Sequence, residues 1–251
     1  RAQSTHRGQV HIRFGEPLSL LESLEDARQR AGSTDPTTVV PRVAFDIANR
    51  INAATPITPS ALITFALLDN EGRALTLAEL LDVLDPLLAY VRARNLPLTS
   101  EIDLARPDGL RQSLRTLESE GVIEVYDGGL ESVFAVAPDR FHEAAFYRNT
   151  LAHWFIYRAV AENALLAAAD DGGQERGNVT ERTWEVALEL RDLLKFEFFF
   201  PRKREFAEDI RREVDLARPG WEDEGLDRDG VLNALDQTHL YVSHRIIGPF
   251  L

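Results

Sequence analysis

The chain contains no cysteine. Disulfides, thiolate metal sites and cysteine nucleophiles are therefore excluded. It contains no methionine either, so position 1 is not an initiator residue and the sequence reads as a processed product or a fragment. Positive charge is scarce: 28 Lys and Arg stand against 41 Asp and Glu, a formal net charge of −13. That balance disfavours non-specific attachment to DNA, RNA or anionic lipid by the chain as a whole, and leaves room only for a local basic patch. No apolar run approaches the ~20 residues that span a bilayer, and the N-terminal RAQSTHRGQ lacks the apolar core of a signal peptide. The six histidines are scattered without metal-ligand spacing. His142-Glu143 opens like a zinc-binding H-E-x-x-H turn, but Phe146 stands where the second ligand is needed. There is no Gly-rich phosphate loop, dinucleotide fingerprint or G-x-S-x-G elbow. Nor is there an H-x-x-x-x-D, the pairing in which His deprotonates a hydroxyl while Asp orients the imidazole. No metal and no bound cofactor are implied, and no catalytic residue can be assigned.

What is present is mainly α with minor β. The longest stretch free of Gly and Pro that keeps a helical period is Phe141 to Ala169. Ala144, Leu151, Phe155, Ala159 and Leu166 line one face, and Phe141, Ala145, Ala152, Ile156 and Val160 widen it, so this helix is expected to be buried on more than one side. It carries an unusual polar stripe, Asn149, His153 and Tyr157, with Arg148 beside it and Arg158 and Glu162 at i,i+4 spacing. Polar groups on a buried helix need partners, because an unpaired one costs roughly 1–3 kcal/mol.

Taken in order, Val10, Ile12 and Phe14 alternate with His11 and Arg13 as a strand, ended by Gly15 and Pro17. It has no local neighbour, and a lone strand is unstable, so it reads as the last strand of an upstream domain. Leu18 to Arg30 is a short acidic helix, residues 32–41 a linker, and Val43 to Asn52 a helix. Thr58 caps an apolar helix from Ser60 to Leu68. Thr76 with Glu79 forms a capping box opening a helix to about Arg94. Asp108 to Glu120 is a second helix, stopped by Gly121, and two strands joined around Gly128-Gly129 make a hairpin. Helices followed by such a wing outline a winged-helix segment. Beyond the long helix come helices from Thr180 to about Leu194, Glu205 to Leu216 and Asp229 to about Ile247. Between the first two lies KFEFFFPRKR.

Three features invite a functional reading, and each has a plainer one beside it. Arg148, Asn149 and His153 mark either a contact with another domain or ligand, or a satisfied polar network. Phe198 and Phe199 with Arg202, Lys203 and Arg204 either dip rings into a bilayer while the cations meet anionic head groups, or are core and solvated loop. The winged-helix outline either binds DNA or is a scaffold. The scaffold is favoured, because its recognition-helix segment sets Arg106, Arg111 and Arg115 against Asp108, Glu118 and Glu120.

Read together, Gly8-Gln9-Val10-His11-Ile12-Arg13-Phe14-Gly15-Glu16-Pro17, then Arg50-Ile51-Asn52, Thr55 and Thr58-Pro59, then Tyr147-Arg148-Asn149 with His153, then Lys195 to Pro201, then His244-Arg245 with Pro249-Phe250, resemble in order the membrane-bound glycerol-3-phosphate 1-O-acyltransferases of bacterial type. The resemblance implies a parent enzyme that moves an acyl group from acyl-CoA or acyl-carrier protein, as co-substrate, to the 1-hydroxyl of glycerol 3-phosphate. The product is lysophosphatidate, for phospholipid synthesis. It also implies a peripheral or monotopic placement on the cytoplasmic face of the cell membrane. The family's H-x-x-x-x-D lies upstream of residue 1, so this portion alone is expected to be inactive. Three regions follow: residues 1–36, the end of the α/β acyltransferase domain; 37–137, helical and winged-helix-like; and 138–251, a C-terminal helical bundle. Expected partners are the upstream acyltransferase domain, the membrane surface and the acyl donor, and no nucleic acid. A dihydroxyacetone-phosphate acyltransferase shares the architecture, and a stand-alone helical interaction module remains the reading from another class.

Overall fold

In a computed structural model the residues described are 11–68, 73–99, 103–171, 179–221, 227–238 and 246–247. They fall into two compact units, Arg1–Pro56 and Ile57–Leu251.

The first unit is a helical hairpin. α1 (Leu20–Ala31) is capped by the Ser19 hydroxyl and closed by Gly32 at φ 58°, a left-handed conformation that a Cβ strains. α2 (Pro36–Ala54) starts at once, with Asp35 accepting from the Thr37 N–H. The stretch read as a linker, 32–41, is thus mostly helix. Pro41 lies inside α2, and the cap together with an apolar seam against α1 outweighs the one hydrogen bond it removes. That seam is thin: Ala27, Val39 and Val43 are buried with Leu24 against them, and Arg30 ties the hairpin by an ion pair to Asp46 of α2 (2.6 Å) while also meeting Asp26 within α1 (2.7 Å). Residues 11–19, expected as a strand, have no ladder partner among the described residues and carry no regular structure, while Ile12 and Phe14 stand exposed. Val10 lies outside the described residues.

The second unit is built around the long helix. α3 (Pro59–Leu68) is apolar on every side and is buried from Ala61 to Leu67. β1 (Leu75–Thr76) leads into α4 (Leu77–Ala93), which opens with the expected reciprocal capping box of Thr76 and Glu79. α5 (Pro107–Ser119) buries Leu110, Leu114 and Leu117, and Gly121 at φ 76° turns the chain into β2 (Ile123–Tyr126). β3 (Val133–Val136) returns antiparallel with Val125 opposite Phe134, giving the sheet order β1-β3-β2. Helix, strand, two helices and hairpin complete the winged-helix order. The two-residue β1 was not foreseen, since so short a strand shows no alternation.

α6 (Phe141–Asp171) is 31 residues long, about 46 Å at the α-helical rise. α3, α7 (Val179–Leu194), α8 (Lys203–Ala217) and α9 (Arg228–Thr238) all pack on it. Its buried residues surround it, as expected: Leu151, Phe155, Ile156, Val160 and Leu165, and the small Ala159, Ala161, Ala164, Ala168 and Ala169. Phe141 and Leu166, expected on the buried face, are 54% and 42% exposed, and Phe141 opens the helix. Phe65 and Tyr90 meet the Phe155 ring at 5.5 and 5.1 Å. Trp221, fully buried, lies against Trp184 at 5.7 Å. The part of the last expected helix at 239–245 lies outside the described residues.

Candidate functional site

The polar stripe of α6 divides along its length. Arg148 is half-buried and donates from Nε and Nη2 to Asn149 Oδ1 at 3.1 and 3.0 Å, with Asn149 itself exposed. His153, half-buried, lays its ring against Trp154 at 4.8 Å. Tyr157 turns into an aromatic group with Phe200 and Phe206, at 5.9 and 5.8 Å, where burial pushes its phenol far above the ordinary range. Arg148, Asn149 and His153 therefore sit on the accessible half of α6, beside Phe146, which is 67% exposed.

One turn further on, the helix carries a charge that does not face solvent. Arg158 donates from Nη1 to the Glu213 carbonyl at 3.0 Å, and its Nε lies 3.9 Å from Glu213 Oε2, a coulombic contact too long for a hydrogen bond. Arg94, at the C-terminus of α4, brings Nε to 3.0 Å from Glu213 Oε1. Tyr90 donates to the same oxygen at 3.0 Å and to the Trp154 carbonyl at 3.4 Å, while the Arg158 guanidinium lies over its ring at 5.5 Å. Glu213 is wholly buried and Arg158 nearly so. Burial pushes the Glu213 carboxyl above its ordinary value, while Arg94 and Arg158 pull it back. Burial, and after it the Glu213 charge, raises the Tyr90 phenol well above its own.

Because Glu213 has no exposed surface, this cluster meets no substrate from solvent. It ties α4, α6 and α8 together. It was not foreseen, although α8 carried a signal. Phe206, Ile210 and Val214 mark its buried face at steps of four, and Glu213 shares that face at i+3 from Ile210. The Arg158 guanidinium reaches across to α8, a contact that no spacing along α6 signals.

The phenylalanine segment splits by position. Phe200 is buried against Phe206, and Phe198 packs on the core, half-buried, with its ring 6.2 Å from that of Phe200. Phe196 and Phe199 are 85% and 47% exposed, next to Leu193 at 59%. Among the basic residues, Lys203 meets Asp192 at 3.2 Å, Arg204 meets Glu208 at 3.4 Å, and Arg202 is exposed. Lys195 stands over the Phe196 ring at 5.3 Å. Among the described residues no group of acids or histidines could hold a metal, and no helix is long and apolar enough to cross a membrane.

A family model described as the glycerol-3-phosphate acyltransferase C-terminal region matches residues 1–251. The chain is 37% identical over 259 aligned residues to the plsB1 proteins of Mycobacterium tuberculosis and Mycobacterium bovis, whose names presume an acyltransferase; the match covers 100% of the chain and 40% of those proteins. It is 29% identical over 163 residues to a glycerol-3-phosphate acyltransferase of Pseudomonas paraeruginosa, covering 61% of the chain and 19% of that protein. The chain thus spans about 40% of the length of the mycobacterial relatives it matches.

Proposed function

The chain belongs to the glycerol-3-phosphate acyltransferase C-terminal region family, and from that membership we propose that it is the helical, non-catalytic part of an enzyme acylating the 1-hydroxyl of glycerol 3-phosphate. The donor is acyl-CoA or acyl-carrier protein and the product lysophosphatidate. The observation that carries this reading is the family match along all 251 residues, in a sequence without the H-x-x-x-x-D pattern. The relative named for glycerol 3-phosphate supports that acceptor over dihydroxyacetone phosphate.

A chimera tests it. Residues 1–251 replace the matching region of the M. tuberculosis relative, and acyl transfer is assayed with glycerol 3-phosphate and with dihydroxyacetone phosphate. The chimera is expected to acylate glycerol 3-phosphate in preference, and the 251-residue chain alone to acylate neither. Turnover by the chain alone, or a folded and inert chimera beside an active relative, overturns the reading.

Within it, Arg148, Asn149 and His153 form the contact of α6 with the acyltransferase domain, which accounts for a polar cluster beside exposed Phe146 on a helix buried along much of its length. Arg148→Ala in the chimera lowers thermal stability and leaves the KM for glycerol 3-phosphate unchanged; a raised KM at unchanged stability assigns Arg148 to substrate instead. The membrane contact is the end of α7 and the loop after it. Leu193, Phe196 and Phe199 present apolar surface, and Lys195, Arg202, Lys203 and Arg204 supply the head-group contact. Phe198, expected in that contact, supports it from beneath.

A further inference from the structure

The loop that joins β2 to β3 carries a reactive dipeptide. Asp-Gly pairs occur four times in the sequence, beginning at Asp108, Asp127, Asp171 and Asp229. In such a pair the backbone nitrogen of the glycine can attack the aspartate side chain, because glycine has no Cβ to obstruct the approach. Whether it does so depends on the local backbone. Asp171 is followed by a glycine outside the described residues. The other three aspartates are all exposed, so exposure does not separate them. Conformation does. Asp108 and Asp229 lie in the first turns of α5 and α9, where helical ψ turns the next nitrogen away from the side-chain carboxyl. Their glycines are also crowded. A Cβ at Gly109 would overlap the Asp103 carbonyl, and one at Gly230 the Arg218 guanidinium. The Gly230 N–H is further committed to Asp227 Oδ1 at 2.7 Å. None of this holds at Asp127. Residues 127–132 carry no regular structure, and a Cβ at Gly128 would meet nothing within 4 Å. The Gly128 N–H has no hydrogen-bond partner among the described residues.

We propose that Asp127 is a modification site, at which the backbone rearranges spontaneously to isoaspartate. The Gly128 nitrogen attacks Asp127 Cγ while the carboxyl is in its acid form. A C–N bond forms, and the carboxyl OH leaves with the amide hydrogen as water. The product is a cyclic succinimide. Water then adds to one of its two carbonyls and breaks one of its two C–N bonds. Opening at Cγ restores aspartate. Opening at the main-chain carbonyl leaves the chain running through Cγ and frees an α-carboxylate. One water leaves and one returns, so the sum is an isomerisation without oxidant or reductant. The rearranged link adds one carbon to the backbone between Tyr126 and Val133, which face each other where the ladder ends. It also withdraws the carboxylate that accepts from the Ser132 hydroxyl at 2.6 Å across the loop. The site does not depend on the acyl-transfer reading, because it is read on the 251-residue chain without any turnover.

The test is to age the folded chain in warm heavy-oxygen water at neutral pH and to map its peptides by mass spectrometry with electron-transfer fragmentation. Isoaspartate is expected at residue 127 several-fold faster than at 108 or 229, where the helix must first open, and the isomerised peptide is expected to carry oxygen from the solvent. Gly128→Ala puts a Cβ beside the attacking nitrogen. Gly128 does not hold a positive φ and its surroundings are open, so this variant is expected to keep the parent's thermal stability while ageing several-fold more slowly. Asp127→Asn offers the same nitrogen a better leaving group, and is expected to lose ammonia faster than the parent isomerises. Equal rates at the three pairs overturn the assignment. So does an isomerised peptide without solvent oxygen, a Gly128→Ala chain that ages as fast as the parent, or an Asp127→Asn chain that keeps its amide.

Discussion

Glu213 is the residue on which the second unit leans most, through a charge that the fold does not show to solvent. Removing it leaves Arg94 and Arg158 facing one another around an empty acceptor position. Glu213→Leu is expected to cost about 3–5 kcal/mol in urea unfolding, the range for breaking one side of a buried ion pair. Glu213→Gln, which keeps the shape and one acceptor for Tyr90, costs less. The pH dependence carries a definite sign. The folded-state pKa of Glu213 is raised by burial, so the stability linked to its protonation is fully present below the ordinary glutamate value and is lost as pH rises through the folded value. The deficit of Glu213→Gln relative to the parent should therefore shrink as the pH rises from below the ordinary glutamate value through the folded one. A deficit that grows over that interval would mean that Arg94 and Arg158, rather than burial, set the carboxyl.

At the scale of the element, the capping groups act with the opposite sign. Backbone and hydroxyl donors of Thr76 hold the Glu79 carboxyl below its ordinary value, and the Thr37 N–H does the same for Asp35. Their contribution is present above the ordinary carboxylate range and is lost as pH falls through the lowered folded-state values, so helicity should decline at the starts of α2 and α4 as the solution is acidified below the ordinary carboxylate range. Thr76→Val should cost about 1 kcal/mol, read by thermal unfolding at neutral pH, and should flatten the acid decline at α4, read by amide exchange. The same elements show how far the sequence could be read. Capping chemistry is local, so the start of α4 was legible from Thr76 and Glu79 alone. The hairpin was legible because two short β-prone runs, Val122 to Tyr126 and Val133 to Val136, flank a Gly-Gly turn. Proline was the ambiguous sign. Pro41 suggested a linker where α2 continues, whereas Pro86 sits inside α4 without ending it. What separates helix from linker at Pro41 is the seam with α1, which is tertiary and has no sequence period of its own. The Tyr90–Arg94–Arg158–Glu213 cluster was illegible for the same reason: Tyr90 and Glu213 lie 123 positions apart.

For the molecule as a whole, the proposed role is to position the rest of an acyltransferase. The proposed membrane contact is a surface one, because among the described residues no helix is long and apolar enough to cross a bilayer. Phe196→Ser with Phe199→Ser should lower binding to anionic vesicles by about tenfold or more, as two exposed rings lose their transfer from water, each with a ceiling near 1.5–3 kcal/mol. Flotation with vesicles measures it, and the change should persist at high salt, whereas Arg202→Gln should matter only at low salt. Binding unaffected by the ring substitutions moves the contact elsewhere.

The alanines of α6 carry a consequence of another kind. Ala159 and Ala164 are wholly buried where neighbouring helices close on the long one, and Ala161, Ala168 and Ala169 are nearly so. A large side chain that is trimmed leaves a hole that neighbours can partly fill. A methyl group at a contact this close has no room to grow. Each added methylene must push a whole helix aside, so Ala164→Leu is expected to cost about 1–3 kcal/mol and to loosen several helices together. As such a sequence drifts over generations, the outer turns of α6 are free to change while its alanine half accepts almost nothing larger. The smallest side chains in the core then set how closely the helices of this unit approach one another.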